Sequence, residues 1–143
     1  DIRKGMFVTM AYAELDAPAN RLTCASAGHN PLFKASASGE VSEIAPEGIA
    51  LGMVSAQQFF VEETVVALEP GDTVVFYTDG VTEAMNAASE EYGEDRFKAV
   101  LSKGLKMPVD QLVKAVVEDV KAFVAGAPPH AAITLVILRR KAA

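Results

Sequence analysis

The apolar residues of this chain change period once and then change back. From Met6 to Thr78 they fall in short β-branched and aromatic runs broken by Gly, Pro and Asn clusters. From Tyr92 to Val124 they recur at three- and four-residue steps, and from Ile133 to Leu138 they form one continuous run. Short runs between turn residues specify strands, and three-to-four spacing specifies helix. Strands first, helices next and one strand last is not a βαβ alternation. The expected fold class is α+β with largely antiparallel sheets. Met6–Leu15 and Ile133–Leu138 are apolar on both alternating faces, so each needs cover on both sides. A two-layer β-sandwich flanked by helices would supply it.

Local signals divide this plan into elements. Met6–Leu15 and Arg21–Ala27 read as a hairpin about Asp16-Ala17-Pro18-Ala19-Asn20. Leu32–Ala35 and Val41–Ile44 read as short strands either side of a Ser/Gly turn, and Ala45–Gln58 as loop. Phe59–Leu68 returns to strand, with Phe59, Val61, Val65 and Ala67 on one face and Glu63 interrupting. Glu69-Pro70-Gly71-Asp72 is a turn favoured by its proline, and Asp72 reads as a turn residue. Thr73–Thr78 is strand and Val81–Asn86 a short helical turn. Tyr92–Ser102 forms one helix. A longer one has Pro108 in its first turn and a core stripe from Val109 to Val124, with Lys114, Glu118, Asp119 and Lys121 on the other face. Gly126 and Pro128-Pro129 stop it. Arg96, Lys103 and Lys106 read as solvated.

Composition excludes several functions. The 143 residues suit one domain, and half of them are hydrophobic, enough for a core. Thirteen basic against 19 acidic residues give a net charge of −6, the wrong sign for a nucleic-acid binder. Cys24 is the single cysteine, so no internal disulfide can form and a cytoplasmic location is expected. In its apolar run Cys24 reads as a small buried hydrophobe rather than a nucleophile. No apolar run is long enough to span a membrane, and none has the layout of a signal peptide. The opening Asp1-Ile2-Arg3-Lys4-Gly5 reads as the middle of something longer.

The stretch that could carry chemistry is Asp72 to Glu83. An apolar strand ends abruptly in Asp79-Gly80. A carboxylate at the tip of a buried strand could hold a hard metal ion. Asp-Gly is also a hairpin signal, although no strand follows at once. Thr78 or Asp79 could equally cap the short helical turn, and spacing does not separate a cap from a ligand.

Four blocks taken together, in order and spacing, resemble the bacterial metal-dependent serine/threonine phosphatases of the SpoIIE and RsbU type, a branch of the PPM superfamily. They are Met6 to Tyr12, Ala25-Ser26-Ala27-Gly28-His29-Asn30-Pro31, Leu68 to Asp72 running into Tyr77-Thr78-Asp79-Gly80-Val81-Thr82-Glu83-Ala84, and Ile133 to Leu138. The resemblance covers the later part of the family domain. It implies two antiparallel sheets between helices and a pair of Mn²⁺ or Mg²⁺ ions held by acidic residues at strand ends. A metal-activated hydroxide would attack phosphoserine or phosphothreonine. The resemblance makes Asp79 a metal ligand, with the Gly80 backbone beside it. It implies as partner a phosphorylated regulatory protein, typically an anti-sigma factor antagonist in a partner-switching circuit.

Two departures bear on activity. The family's early Gly-Gly-Asp and Gly-Asp blocks belong upstream of Met6. The late Asp-Asp pair falls on Ala131 and Ala132, which coordinate nothing. One carboxylate cannot assemble two six-coordinate sites. The chain alone is therefore expected to be inactive as a single phosphatase-like domain, residues 1–143, without the N-terminal metal-binding blocks. The alternative is a non-catalytic pseudophosphatase, a binding module or scaffold.

Other candidates are weaker. The resemblance puts His29 and Asn30 beside the site; the residues themselves read as an Asn-Pro turn with the imidazole bonded to backbone. Glu83 lies four residues after Asp79, over its turn on a helix, and also reads as a first-turn acid favoured by the dipole. His130 reads as a loop residue next to Ala131. Exposed strand edges would invite a homodimer.

Overall fold

The computed structural model describes residues 3–129 and 131–142, so His130 lies outside the described residues. The chain forms two compact units. One runs to Pro31 and resumes over Glu43–Glu69; the other is Leu32–Ser42 with Pro70 onward.

The first unit is built on an antiparallel sheet in the order β1-β2-β5: β1 (Met10–Asp16), β2 (Arg21–Ala27) and β5 (Glu63–Ala67). The β1–β2 hairpin pairs without interruption from Met10↔Ala27 to Asp16↔Arg21. Its turn closes where the Ala19 N–H donates to the Asp16 carboxylate at 3.1 Å, and Asn20 takes the left-handed conformation at φ 50°. Asn tolerates that region because its short polar side chain bonds locally. Cys24 is fully buried at the centre of β2, opposite Ala13 and Thr64. Burial pushes its thiol pKa up, as expected for an inert core cysteine.

Two strand expectations change here. The Met6 to Leu15 run is not covered on both sides. Ala11 and Ala13 are half-buried, while Met10 and Tyr12 are 47% and 56% exposed. The Phe59 to Leu68 run pairs only over β5, and the face marked by Val65 and Ala67 points outward. Register places Thr64 and Val66 against Cys24 and Leu22, leaving Val65 62% exposed. A one-residue choice of register decides which face is buried.

In the second unit the sheet order is β4-β3-β6-β7, from β3 (Leu32–Ala35), β4 (Val41–Ile44), β6 (Thr73–Tyr77) and β7 (Leu135–Arg139). The pairs β3–β6 and β6–β7 are antiparallel, with Phe33↔Val75 and Val75↔Ile137 in one row. Between β6 and β7 run α1 (Asp79–Thr82), α2 (Glu94–Lys103) and α3 (Val109–Val124). Glu94 and Asp95 in the first turn of α2 and Lys103 in its last complement the helix dipole. Pro108 sits at the N-cap of α3 rather than inside its first turn. Ala125 at φ 50° and Gly126 at φ 86° end that helix in left-handed conformations.

The α3 stripe is core, as its spacing predicts. Leu112, Val116 and Val120 are buried against Phe33, Val75, Tyr77, Phe97 and Leu101. Phe33, Tyr77 and Phe97 form an aromatic triangle with centroid separations of 4.9, 5.5 and 5.1 Å. Offset and edge-to-face rings of this kind add to the area they bury.

Two acids are more buried than their patterns suggest, and Arg96, exposed as expected, is paired with one of them. Asp119 is half-buried. It accepts from the Tyr92 hydroxyl at 2.7 Å and takes a bidentate pair from Arg96 at 2.9 and 3.0 Å. The Arg96 guanidinium also lies over the Tyr92 and Phe123 rings, 5.4 and 5.0 Å from their centroids. It binds α2 to α3 through charge and through stacking. Asp72 lies in its turn but is almost fully buried, 3.1 Å from Lys34 Nζ. Helix and turn patterns mark exposure by residue type, and paired charges escape that rule.

The Arg96 bonds hold the Asp119 carboxyl below the usual carboxylate range against the opposing effect of burial. A depressed folded pKa contributes stability above the unfolded value of about 4 and loses it as pH falls through the folded value. The stability gap between the native chain and Asp119→Asn is expected to be full above about pH 5 and to shrink on acidification, measured by urea unfolding across that range. Leu112→Ala, which empties a fully buried position, is expected to cost about 2–5 kcal/mol in the same assay.

Candidate metal site

The site is built where β6 ends. Thr73-Val74-Val75-Phe76-Tyr77 is β-branched and aromatic, and all but Phe76 are buried. The strand delivers Thr78 to the N-cap of α1 and Asp79 to its first position, where the dipole favours an acid. Asp79 is exposed, and its carbonyl accepts the Glu83 N–H at 2.8 Å.

Thr78 occupies the cap position, yet its side chain makes no capping bond. The hydroxyl reaches across to the segment before β7 instead, donating to the Ala132 carbonyl at 3.4 Å and accepting from the Thr134 N–H at 3.2 Å. The Thr78 N–H donates to the Thr134 carbonyl at 3.1 Å, prolonging the β6–β7 ladder. On the other side of Asp79, a Cβ on Gly80 would lie 2.1 Å from the Ala132 carbonyl oxygen. Both chain neighbours of Asp79 thus touch residue 132. Glycine is required at position 80 by close backbone approach, not by its φ angle.

A cavity of about 670 Å³ opens beside this junction. Gly80, Ala84, Met85, Val120, Val124, Pro128, Ala131 and Ile133 line it, and Glu83 and Lys121 add two charges. Glu83 is an exposed residue at the C-cap of α1, not a first-turn acid, because the helix is only four residues long.

The sequence-derived candidates therefore divide. Asp79, Gly80, Glu83, Ala131 and Ala132 belong to the second unit; Thr78 and Gly80 bring 79 and 132 together, and the cavity joins 80, 83 and 131. His29 and Asn30 belong to the first unit and are half-buried. There the Ser26 hydroxyl donates to the His29 carbonyl at 3.2 Å and accepts the His29 N–H at 3.1 Å. The imidazole Nδ1 lies 3.2 Å from the Asn30 carbonyl oxygen. These are backbone-directed bonds of a turn. Thr78 is the residue that sequence reasoning undervalued, weighing it only as a cap. Its signal was a hydroxyl placed one step past a buried strand.

A two-ion centre does not fit the residues present. Among the described residues no three His, Cys, Asp or Glu side chains cluster closely enough to hold a metal ion. One exposed carboxylate beside two alanines and a mostly apolar cavity lacks the six or more oxygens that each hard cation takes.

Antiparallel sheets with helices inserted before the last strand give this chain the fold of PP2C-type phosphatase domains. The SiaA PP2C domain of Pseudomonas aeruginosa superposes with a TM-score of 0.79 at 22% identity, over 90% of this chain and 50% of that one. The Mn-presoaked phosphatase domain of SpoIIE from Bacillus subtilis gives 0.70 at 18%, over 93% and 56%. The sequence model of the family Stage II sporulation protein E (SpoIIE) matches residues 1–141, and the chain belongs to that family. It is 28% identical over 149 residues to the phosphoserine phosphatase RsbU of Bacillus subtilis, covering 99% of this chain and 41% of RsbU. The chain thus spans about half the length of these relatives or less. No helix among the described residues is long and apolar enough to cross a membrane.

Gly80→Ala is expected to force the Ala132 carbonyl away and cost about 1–3 kcal/mol, measured by urea unfolding. Thr78→Val keeps the shape and removes the hydroxyl bonds. It is expected to speed amide exchange at Thr134, measured by hydrogen–deuterium exchange.

Proposed function

We propose that this chain is the later part of a SpoIIE/RsbU-type protein serine/threonine phosphatase domain. Its role is cytoplasmic partner switching, and its substrate is a phosphorylated anti-sigma factor antagonist. Asp79 is its metal ligand, and the ions, Mn²⁺ or Mg²⁺, need acids beyond those of these 143 residues. The chain by itself is inactive. One observation carries this reading: Thr78 and Gly80 hold Asp79 next to Ala132, where the family resemblance sets a second acidic element. Family membership and the similarity to RsbU support the reaction class.

The second reading is a non-catalytic binding module. Alanine at 131 and 132 and the apolar cavity beside them favour it. In that case the domain recognises the phosphorylated partner without hydrolysing it.

Replacing both alanines tests the ligand geometry. Ala131→Asp with Ala132→Asp is expected to raise Mn²⁺ affinity at least tenfold over the parent chain by isothermal titration calorimetry. Adding Asp79→Asn is expected to abolish that gain; a gain that survives it removes Asp79 from the metal site. The parent chain is expected to show no Mn²⁺-dependent release of phosphate from a phosphoserine peptide, and measurable turnover would overturn its assignment as inactive.

A further inference from the structure

The cavity beside Asp79 has a definite shape and chemistry that metal binding does not use. Its wall comes from α1, the two residues that follow it, the last turns of α3 and the lead-in to β7. All of these belong to the second unit, so the cavity lies within one compact body. Its volume of about 670 Å³ falls inside the range of roughly 300–1,000 Å³ typical of ligand pockets.

The wall residues determine what fits. Met85, Val120, Val124 and Ile133 offer apolar side chains, and Ala84 and Ala131 leave room between them. Glu83 and Lys121 are both exposed and opposite in sign, so the margin favours no net charge. One lysine accompanied by a glutamate is a poor seat for phosphate, which is held best by several donors of one sign. An apolar group is what this cavity buries at a gain.

Position selects the source of that group. Gly80 and Ala131 both line the cavity, and each is the chain neighbour of a junction residue, Asp79 and Ala132. The inference rests on the reading that a phosphorylated polypeptide comes to Asp79, whether hydrolysed or only bound. On that reading the border of Asp79 stays open in a domain of any length, because further chain laid over it would wall the carboxylate off from its substrate. An extended peptide advances about 3.3 Å per residue, so a side chain within about three positions of the phosphoresidue reaches from Asp79 into the cavity. We propose that the cavity is a specificity pocket, which receives one large apolar side chain of the substrate, such as Leu, Met or Phe, close in sequence to its phosphoserine or phosphothreonine. A few side chains buried in pockets carry most of the affinity of one polypeptide for another.

NMR titration of the isotope-labelled 143-residue chain with phosphoserine nonapeptides tests this. Each peptide holds phosphoserine at the centre of a Gly/Ser background, with Phe or Ala at one position within three residues of it, and no metal is added. At a position in reach of the cavity, Phe is expected to lower the Kd at least tenfold relative to Ala, the gain from burying one large apolar side chain. The shifted amides are expected to include those of Ala84, Met85, Val124 and Ile133. Val124→Trp fills the cavity, and Ile133→Glu charges its wall at a position 38% exposed. Each is expected to reduce the preference for Phe to less than about threefold with an unchanged circular dichroism spectrum. Equal affinities for Phe and Ala at every position overturn the proposal, as do shifts confined to other residues or a preference that survives both variants. The Mn²⁺ titration of the chain carrying Ala131→Asp and Ala132→Asp judges the phosphatase reading separately. Its failure leaves this metal-free comparison standing, and a failed comparison leaves that titration untouched.

Discussion

The junction between the end of β6 and the lead-in to β7 is the constraint on which the candidate site depends. Residues 79 and 132 are far apart in sequence, and three helices lie between them. They meet because β6 and β7 are adjacent antiparallel strands, with Tyr77 opposite Leu135. The Thr78 hydroxyl then continues the pairing one residue past the strand. Gly80 permits backbone to approach backbone where any side chain would collide with the Ala132 carbonyl. A threonine that caps nothing and a glycine with ordinary dihedrals both follow from that single approach.

The helices are held in place by two means of different character. Leu112, Val116 and Val120 bury an apolar stripe on the aromatic triangle of Phe33, Tyr77 and Phe97, a non-directional attraction proportional to area. The Arg96–Asp119–Tyr92 cluster is directional and fixes how α2 and α3 sit against one another. Because Arg96 stays partly exposed, its pair with Asp119 is screened by solvent, and its contact with the two rings shares the work. Burial and the Asp119 hydrogen bond together push the Tyr92 pKa far up, so this phenol keeps its proton and its donor role.

The site chemistry is bounded by what surrounds Asp79. An exposed carboxylate at a helix start is an ordinary feature. Its interest comes from position: a strand end, a close backbone crossing and a cavity lie together. Hard cations need several oxygen donors, and here the nearby positions 131 and 132 are alanines.

Much of this was legible in local pattern. The α3 stripe, the β1–β2 hairpin, the Pro-Gly turn and the buried Cys24 follow from periodicity and turn chemistry, which act over a few residues. The backbone-directed bonds of His29 follow from Asn30-Pro31 in the same way. The sequence by itself determined the element order, the α+β class and Asp79 as the carboxylate at a strand tip, because each rests on residue type and spacing. Only the tertiary structure decided which face of β5 is buried, that β2 lies between β1 and β5, that Asp119 and Arg96 are partners, and that Thr78 bonds across to residue 132. Those outcomes turn on register and on contacts between distant segments. A period-2 or period-3.6 pattern describes the faces of an element without naming what will lie against them.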